Sequence, residues 1–320
     1  MNARTPSFAV IVPAYEAEKT IAEALESAFA QTLPPAEIIV CDDGSADRTS
    51  EVVEGFGDRV TLIRQANQGP SAARNAAIGA ATAEWVVNLD ADDLLLPDNL
   101  AARVDLLARE PDLEIIASDG LVEVDGIVRR NLYGPTWRFE PGDQRRAILE
   151  RCFIVCWAIR RDSFLLAGGF DPGLGHAEDW ECLIRLILGG ARAGFVDEPL
   201  MRYRLRAGSL SNQTVELQLG HVLAMRKTAD DPRLTAAERD RVITAMSGYE
   251  ADLRLARLRE AVLAGGAVAR AEARKALRRA DTPLPTRAKA GLALVAPGLA
   301  RRAAARRGRE TGAGVTLPIE

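Results

Sequence analysis

The sequence predicts an α/β fold, a mainly parallel sheet flanked by helices, followed by a helical C-terminal extension. Three observations predict it. Short β-type runs alternate with helical patterns through the first ninety residues, a polar cluster follows each predicted strand, and from about Glu216 onward the pattern turns helical.

Residues 8–12 read as a buried strand. Ile21, Leu25, Ala28 and Phe29 then recur at helical spacing, and Pro34 and Pro35 stop that helix. Residues 37–41 form the second strand, an acidic turn at 42–47 leads into a short helix, and residues 60–63 form the third strand. A helix over 70–80 and a strand over 85–89 complete the alternation. This order implies right-handed crossovers with helices on both faces of the sheet. Ligands of such sheets bind beyond the carboxyl ends of the strands. The polar clusters at 13–16, 42–47, 67–75 and 90–93 lie there. Each alone is equally well explained as a surface turn, because Asp, Asn and Gly end strands generally.

Further along, the pattern predicts a helix over 98–108, strands near 113–117 and 120–128, a loop over the Trp- and Pro-containing stretch 133–142, and renewed alternation over 147–196. Thr235 and Glu238 form a capping box, and Val242, Met246, Tyr249 and Leu253 follow at spacings of four, three and four. The domain boundary is placed near residue 215, giving domains of 1–215 and 216–320.

Composition narrows the function classes. The 320 residues carry 41 Lys or Arg against 45 Asp or Glu, a net charge of −4, so no overall basic field favours nucleic acid. Charge is uneven, however: residues 251–320 hold 15 basic and 6 acidic side chains, a balance of +9, which leaves −13 for residues 1–250. Four Cys without CxxC spacing and two His argue against a Cys/His zinc site and fit a reduced, cytoplasmic setting. The apolar run 8–12 is short for a signal peptide. The longest run, 290–300, is broken by Pro297 and is too short to span a bilayer. The Ala- and Arg-rich stretch 286–309 reads either as a solvated helix with a frayed tail or as a helix lying on an anionic membrane surface.

Three motifs could carry chemistry. In NLDADD, Asp90, Asp92 and Asp93 follow an apolar strand; carboxylates so spaced can present oxygens to one magnesium or manganese ion shared with a phosphorylated ligand, or simply cap the next helix. In CDDGSAD, Asp42 and Asp43 can accept hydrogen bonds from a base or ribose, or form an Asp-Gly turn. In NQGPSAARN, Arg74 lies one turn inside a helix, where it can pair with phosphate or organise the acidic loops.

Together these strings resemble the family-2 glycosyltransferases, nucleotide-sugar-dependent enzymes of the GT-A fold. The match runs from VPAYE (12–16) through CDDGSAD, NQGPSAARNAAIGAA and EWVVNLDADD, then resumes at AGGFDPGLGHAEDWECLIRL (167–186) and MRYRLRAGSLS (201–211). The resemblance implies an inverting transfer of a sugar from a nucleoside diphosphate, with a UDP-sugar the first expectation, to a carbohydrate or lipid-linked acceptor hydroxyl. It implies a role in surface polysaccharide, lipopolysaccharide or other glycan assembly. Residue by residue, it implies that Pro13 and Tyr15 line the nucleoside site, that Asp43 reads the base with Arg74 nearby, and that Asp90 lies near the ribose. Asp92 would coordinate the divalent cation. Asp179, in HAEDWE, matches the general base, with Glu178 and Trp180 bordering the acceptor. Peripheral contact with the inner face of the plasma membrane through the basic C-terminus is the accompanying expectation.

Structural explanations stand beside these. Glu178 and Asp179 also suit the N-terminus of a helix, Trp157 and Trp180 also suit a core, and Arg202, Arg204 and Arg206 are either diphosphate contacts or a solvated strand edge. The sequence departs from the family pattern at Glu16, where Asn is frequent, and at Arg206, where His is frequent. A sugar-phosphate nucleotidyltransferase is a rival, although VPAYEAEKT lacks the Gly-rich loop it needs. A non-catalytic nucleotide-sugar-binding module is another, and it would need no base at Asp179.

Overall fold

The computed structural model describes residues 5–133, 141–150, 152, 156–205, 214–279 and 282–310. The chain divides into two compact units, 1–204 and 205–318.

The first unit is built on a mixed sheet. Strands β1 (Phe8–Ala14), β2 (Glu37–Asp42), β3 (Thr61–Arg64) and β4 (Trp85–Asn88) are parallel neighbours in the order β3-β2-β1-β4. Every residue of β1 is buried, as a central strand covered on both faces requires. Helices α1 (Ile21–Phe29), α2 (Thr49–Glu54) and α3 (Pro70–Ala80) make the crossovers. Helix α1 forms because Ile21, Ala24, Leu25 and Ala28 recur on one face, and all four are buried against β1 and its neighbours. Helix α3 starts at Pro70, whose missing N–H costs nothing in a first turn.

Beyond β4 the sheet becomes antiparallel. The short β5 (Leu94–Leu95) and helix α4 (Asn99–Arg109) precede β6 (Ile115–Val124) and β7 (Ile127–Asn131). Helix α5 (Gln144–Glu150), β8 (Ala158–Arg160), α6 (Arg161–Leu166), α7 (Glu178–Leu188) and β9 (Ala193–Leu205) follow. Strand order continues β4-β8-β6-β9-β5, with β7 hydrogen-bonded to β6. The strands expected at 113–117 and 120–128 prove to be one long strand and the start of a hairpin. Asp125 and Gly126 both take positive φ, 51° and 76°, the geometry of a two-residue type I′ turn for which Asp-Gly is the usual sequence. Of the loop expected at 133–142, residues 134–140 lie outside the described residues.

The second unit is helical: α8 (Thr214–Ala229), α9 (Ala236–Ala264), α10 (Gly266–Arg278), α11 (Leu284–Val295) and α12 (Pro297–Glu310). The capping box at the start of α9 forms as expected, with Glu238 N–H donating to Thr235 Oγ1 at 3.2 Å and Thr235 N–H to Glu238 Oε2 at 2.8 Å. Leu258 and Val262 of α9 pack on Ala273, Ala276, Ala290, Ala293 and Ala300. The run read as one helical stretch breaks at Ala296, because Pro297 cannot donate the hydrogen bond that would continue α11. Among the described residues, no helix is long and apolar enough to cross a membrane.

Candidate active site at the carboxyl edge of the parallel strands

The chain leaves β1 toward β2 on one side and reaches β4 on the other, so strand order reverses between β1 and β4 and a crevice opens at their carboxyl ends. Ladder partners Ala14 and Asp42, and Ile11 and Asn88, bring the three loops to one edge. The loops then bind one another. Glu16 N–H donates to Ser45 Oγ (2.9 Å), Ala17 N–H to Thr49 Oγ1 (2.8 Å) and Glu18 N–H to Asp47 Oδ2 (3.0 Å). Gly44, at φ 79°, is required there, since a Cβ would sit 2.9 Å from the Asn67 nitrogen.

Pro13 is buried within β1, whereas Tyr15, just past the strand, is 54% exposed at the edge. Asp43 is buried and holds the loop after β3. Its Oδ1 accepts from Gln65 Nε2 (2.7 Å) and Gln68 N–H (2.9 Å), and its Oδ2 accepts from Gly69 N–H (2.7 Å). Oδ2, with one partner, keeps acceptor capacity.

Arg74 is the hub of the site. Its Nη2 donates to Asp90 Oδ1 at 2.8 Å, its Nε to Asn88 Oδ1 at 3.1 Å and its Nη1 to Glu178 Oε1 at 2.5 Å. Burial alone would weaken its charge, but Asp90 and Glu178 outweigh that and hold the guanidinium protonated. Burial likewise raises Asp90, yet the Arg74 charge and bonds from Arg74 and Asn88 leave its carboxyl below the usual range.

The next turn is clasped from β9. Asp93 Oδ1 accepts from Arg204 N–H at 2.8 Å, while the Arg204 side chain donates from Nε to the Asp92 carbonyl and from Nη1 to Glu23 Oε2. Arg204 is therefore a buried clamp, not a solvated strand edge. Asp93 serves this turn rather than capping the following helix, where Asp98 stands at the N-cap position. Burial, followed by the charges of Asp92 and Asp90, pushes Asp93 well above the usual carboxylate range. Arg206 and the rest of the MRYRLRAGSLS string after residue 205 lie outside the described residues.

Asp179 occupies the first turn of α7 together with Glu178 and Glu181, the acidic helix start that the helix reading expected. Burial, then the neighbouring Glu178 carboxylate, raises Asp179 to about 6 against the pull of Arg74. A lesser push from Asp90 places Asp179 in the electrostatic neighbourhood of the β4 loop. Its Oδ1 accepts from Trp180 N–H at 2.7 Å. Ala177, just before the helix, and Glu16 are two of the three non-glycine residues with positive φ among the described residues, and backbone strain gathers at functional edges.

The structure corrects the surroundings of Asp179. Trp180 is 1% exposed and donates its indole N–H to Ile148 O at 2.7 Å, so its ring belongs to the core and offers no face to an acceptor. Trp157, 2% exposed against Phe170, is core as well. Glu178 is buried and turned onto Arg74 instead of outward. Two organising residues escaped the motif reading. Asn75 clamps Phe170 through both backbone groups (2.8 and 2.9 Å), and Arg185 pairs with Glu181 while donating to the carbonyls of Ala167 and Gly169. Asn75 lay inside a quoted motif, but its partner is 95 positions away.

Among the described residues, no group of three or more His, Cys, Asp or Glu side chains is arranged to hold a metal ion. Magnesium and manganese are commonly held by one or two carboxylates, with phosphate oxygens and water completing the shell. Asp92 is the candidate carboxylate for that form, a cation held jointly with a diphosphate, because Asp90 Oδ1 is already engaged by Arg74 Nη2 and Asn88 Nδ2.

Residues 9–165 match the family described as glycosyl transferase family 2. The succinoglycan biosynthesis protein ExoO of Rhizobium meliloti is 31% identical over 246 residues, which cover 69% of this chain and 66% of ExoO. The chain thus spans just under two thirds of that relative. S. aureus TarS 1-349, solved in complex with UDP-GlcNAc, has a TM-score of 0.62 at 20% identity, covering 95% of this chain and 92% of that one. The mannosyltransferase PcManGT from Pyrobaculum calidifontis, solved with GDP-Man and Mn2+, has a TM-score of 0.60 at 22% identity, covering 98% and 87%. At these identities the two structures establish a common fold, the GT-A fold expected from the motifs. The uncharacterized glycosyltransferase RT0329 of Rickettsia typhi is 31% identical over 225 residues, which cover 66% of this chain and 68% of that one, and with the matching family model this shows that the chain belongs to glycosyl transferase family 2.

Proposed function

We propose that this chain is an inverting glycosyltransferase that moves a sugar from a nucleoside-diphosphate sugar to an acceptor hydroxyl in surface polysaccharide, lipopolysaccharide or other glycan biosynthesis. The observation that carries this reading is the cluster in which Arg74 ties Asp90 of the β4 loop to Glu178 of α7, next to Asp179, whose carboxyl is raised to about 6 by burial and the Glu178 charge. A base so poised is mostly ionised near neutral pH and still takes up a proton readily.

In the reaction, Asp179 takes the proton of the acceptor hydroxyl through its Oδ2, since Oδ1 holds the Trp180 N–H. The acceptor oxygen bonds to the anomeric carbon as the bond to the diphosphate oxygen breaks on the opposite face, giving inversion. Pro13, Tyr15 and Asp43 form the nucleoside side of the pocket, with Asp90 toward the ribose. Arg74 keeps Asp90 ionised and ties that loop to α7. Asp92 would hold magnesium or manganese, which when bound would supply positive charge to the departing diphosphate. Glu178 fixes Arg74 and tunes Asp179, so its influence on the acceptor is indirect.

A UDP-sugar is the preferred donor, supported by the UDP-GlcNAc complex of TarS; the GDP-Man complex of PcManGT supports a divalent cation and names the competing nucleotide. Catalysis is assigned to residues 1–215 and the helical extension to 216–320, in a cytoplasmic protein working at the inner face of the plasma membrane.

The test is a panel of nucleotide sugars with manganese or magnesium, reading diphosphate release with and without acceptors. Asp179→Asn should abolish transfer yet keep metal-dependent nucleotide binding, and Asp92→Asn should lose that binding. Unchanged turnover in Asp179→Asn would refute the assignment.

A further inference from the structure

We propose that the outer face of α11, continued into α12, is a docking ridge for an anionic lipid surface. Helix α11 is apolar on two sides. Its inner side is mostly small and buried, with Thr286, Ala290 and Ala293 beside a partly buried Leu294, whereas its outer side carries Leu284, Leu292 and Val295, which are 79%, 40% and 86% exposed. Soluble helices normally do the reverse, burying their large apolar residues and exposing the small ones.

At roughly 100° per residue, Leu284, Leu292 and Val295 fall within an arc of about 80°. Leu299, also exposed at 59%, stands in the first turn of α12, just past the break at Pro297. Arg287, half-buried and donating from Nη2 to Leu277 O at 3.2 Å, and Lys289 lie on opposite borders of that arc, and the exposed Arg301 and Arg302 follow Leu299. Residues 282–310 contain seven Lys or Arg and one acid, Glu310.

An apolar ridge bordered by cations is the pattern of a helix lying in a bilayer interface, its Leu and Val inserted and its charges at the anionic headgroups. Basic stems can also lay their methylenes along the apolar stripe while their heads reach the phosphates. A second copy of the chain is a poor occupant, because two such faces would meet with like charge. Nucleic acid would use the cations but leave the Leu and Val ridge without a purpose. The inference draws on the glycosyltransferase reading only for its benefit, access to a lipid-linked acceptor, and not for the binding.

The experiment is flotation of the full chain with phosphatidylcholine vesicles, with and without phosphatidylglycerol. The protein is expected to float with the anionic vesicles alone and to be released by salt. Leu292→Ser combined with Val295→Ser should lower the bound fraction about tenfold. Arg301→Glu with Arg302→Glu should lower it similarly, both pairs keeping the wild-type circular dichroism. Asp179→Asn should float like the wild type, so failure of the catalytic reading leaves this result standing. The proposal is overturned if the wild type does not float, or if the Ser pair floats undiminished. It is equally overturned if the Ser pair instead dissociates a dimer, or if the Glu pair abolishes binding to duplex DNA while vesicle binding persists.

Discussion

Nη1 of Arg74 lies 2.5 Å from Oε1 of Glu178, a contact between α3 and α7 made by residues 104 positions apart. The same guanidinium holds Asp90 at 2.8 Å. One side chain therefore joins the loop that carries the candidate metal ligand to the helix that carries the candidate base. Arg74 is 12% exposed and Glu178 9%, so the pair works in a medium where charges are felt strongly. The ionisation of Asp179 is set within this cluster.

Activity should therefore rise with pH through about 6, since Asp179 must be ionised to act as base. Glu178→Gln removes a charge that raises Asp179, so its acidic limb should move to lower pH. Stability runs the other way. The folded pKa of about 6 exceeds the ordinary 3.8. The contribution of this group is thus full below the unfolded value and is lost as pH rises through about 6. Asp179→Asn should melt higher than wild type at pH 8, an advantage that disappears at pH 4, as scanning calorimetry would show.

Arg204→Met removes charge-assisted bonds to Glu23 and the Asp92 carbonyl, and should cost about 2–4 kcal/mol in urea unfolding. Because the Asp92 turn is released, manganese affinity in the nucleotide complex should fall about tenfold or more by titration calorimetry. Arg204→Lys keeps the charge but not the fork, and should restore stability better than metal affinity. Equal recovery of both would show that Arg204 acts through charge alone.

Trp180→Phe leaves Ile148 O without its indole donor and should cost about 1–3 kcal/mol. The KM for acceptor should stay within about twofold, as expected of a core residue. A large rise in that KM with an unchanged melting temperature would return Trp180 to the acceptor site.

Opposite effects are expected at two neighbouring positive-φ positions. Glu16, at φ 49°, should gain about 0.5–1 kcal/mol on Glu16→Asn, because Asn tolerates the left-handed region better. Gly44→Ala should lose about 1–3 kcal/mol, since its new Cβ would press on the Asn67 nitrogen. Paired urea titrations decide both.

The sequence by itself determined the order of strands and helices through Trp85, the edge at which loop acids gather, and the capping box at Thr235. These depend on periodicity, on strand-ending residues and on a contact three positions apart, all of which are local. The hairpin at Asp125–Gly126 was missed, since residues 120–128 read as one strand, although an Asp-Gly pair between β-type runs is the local mark of such a turn. Tertiary structure alone decided that Glu178 turns onto Arg74, that Asn75 clamps Phe170, that Arg204 closes on the Asp92 turn and that Trp180 is core. Each of these depends on which distant segment the sheet order brings alongside. A side chain's donors and charge are written in its residue type, but the partner that satisfies them is chosen by the fold.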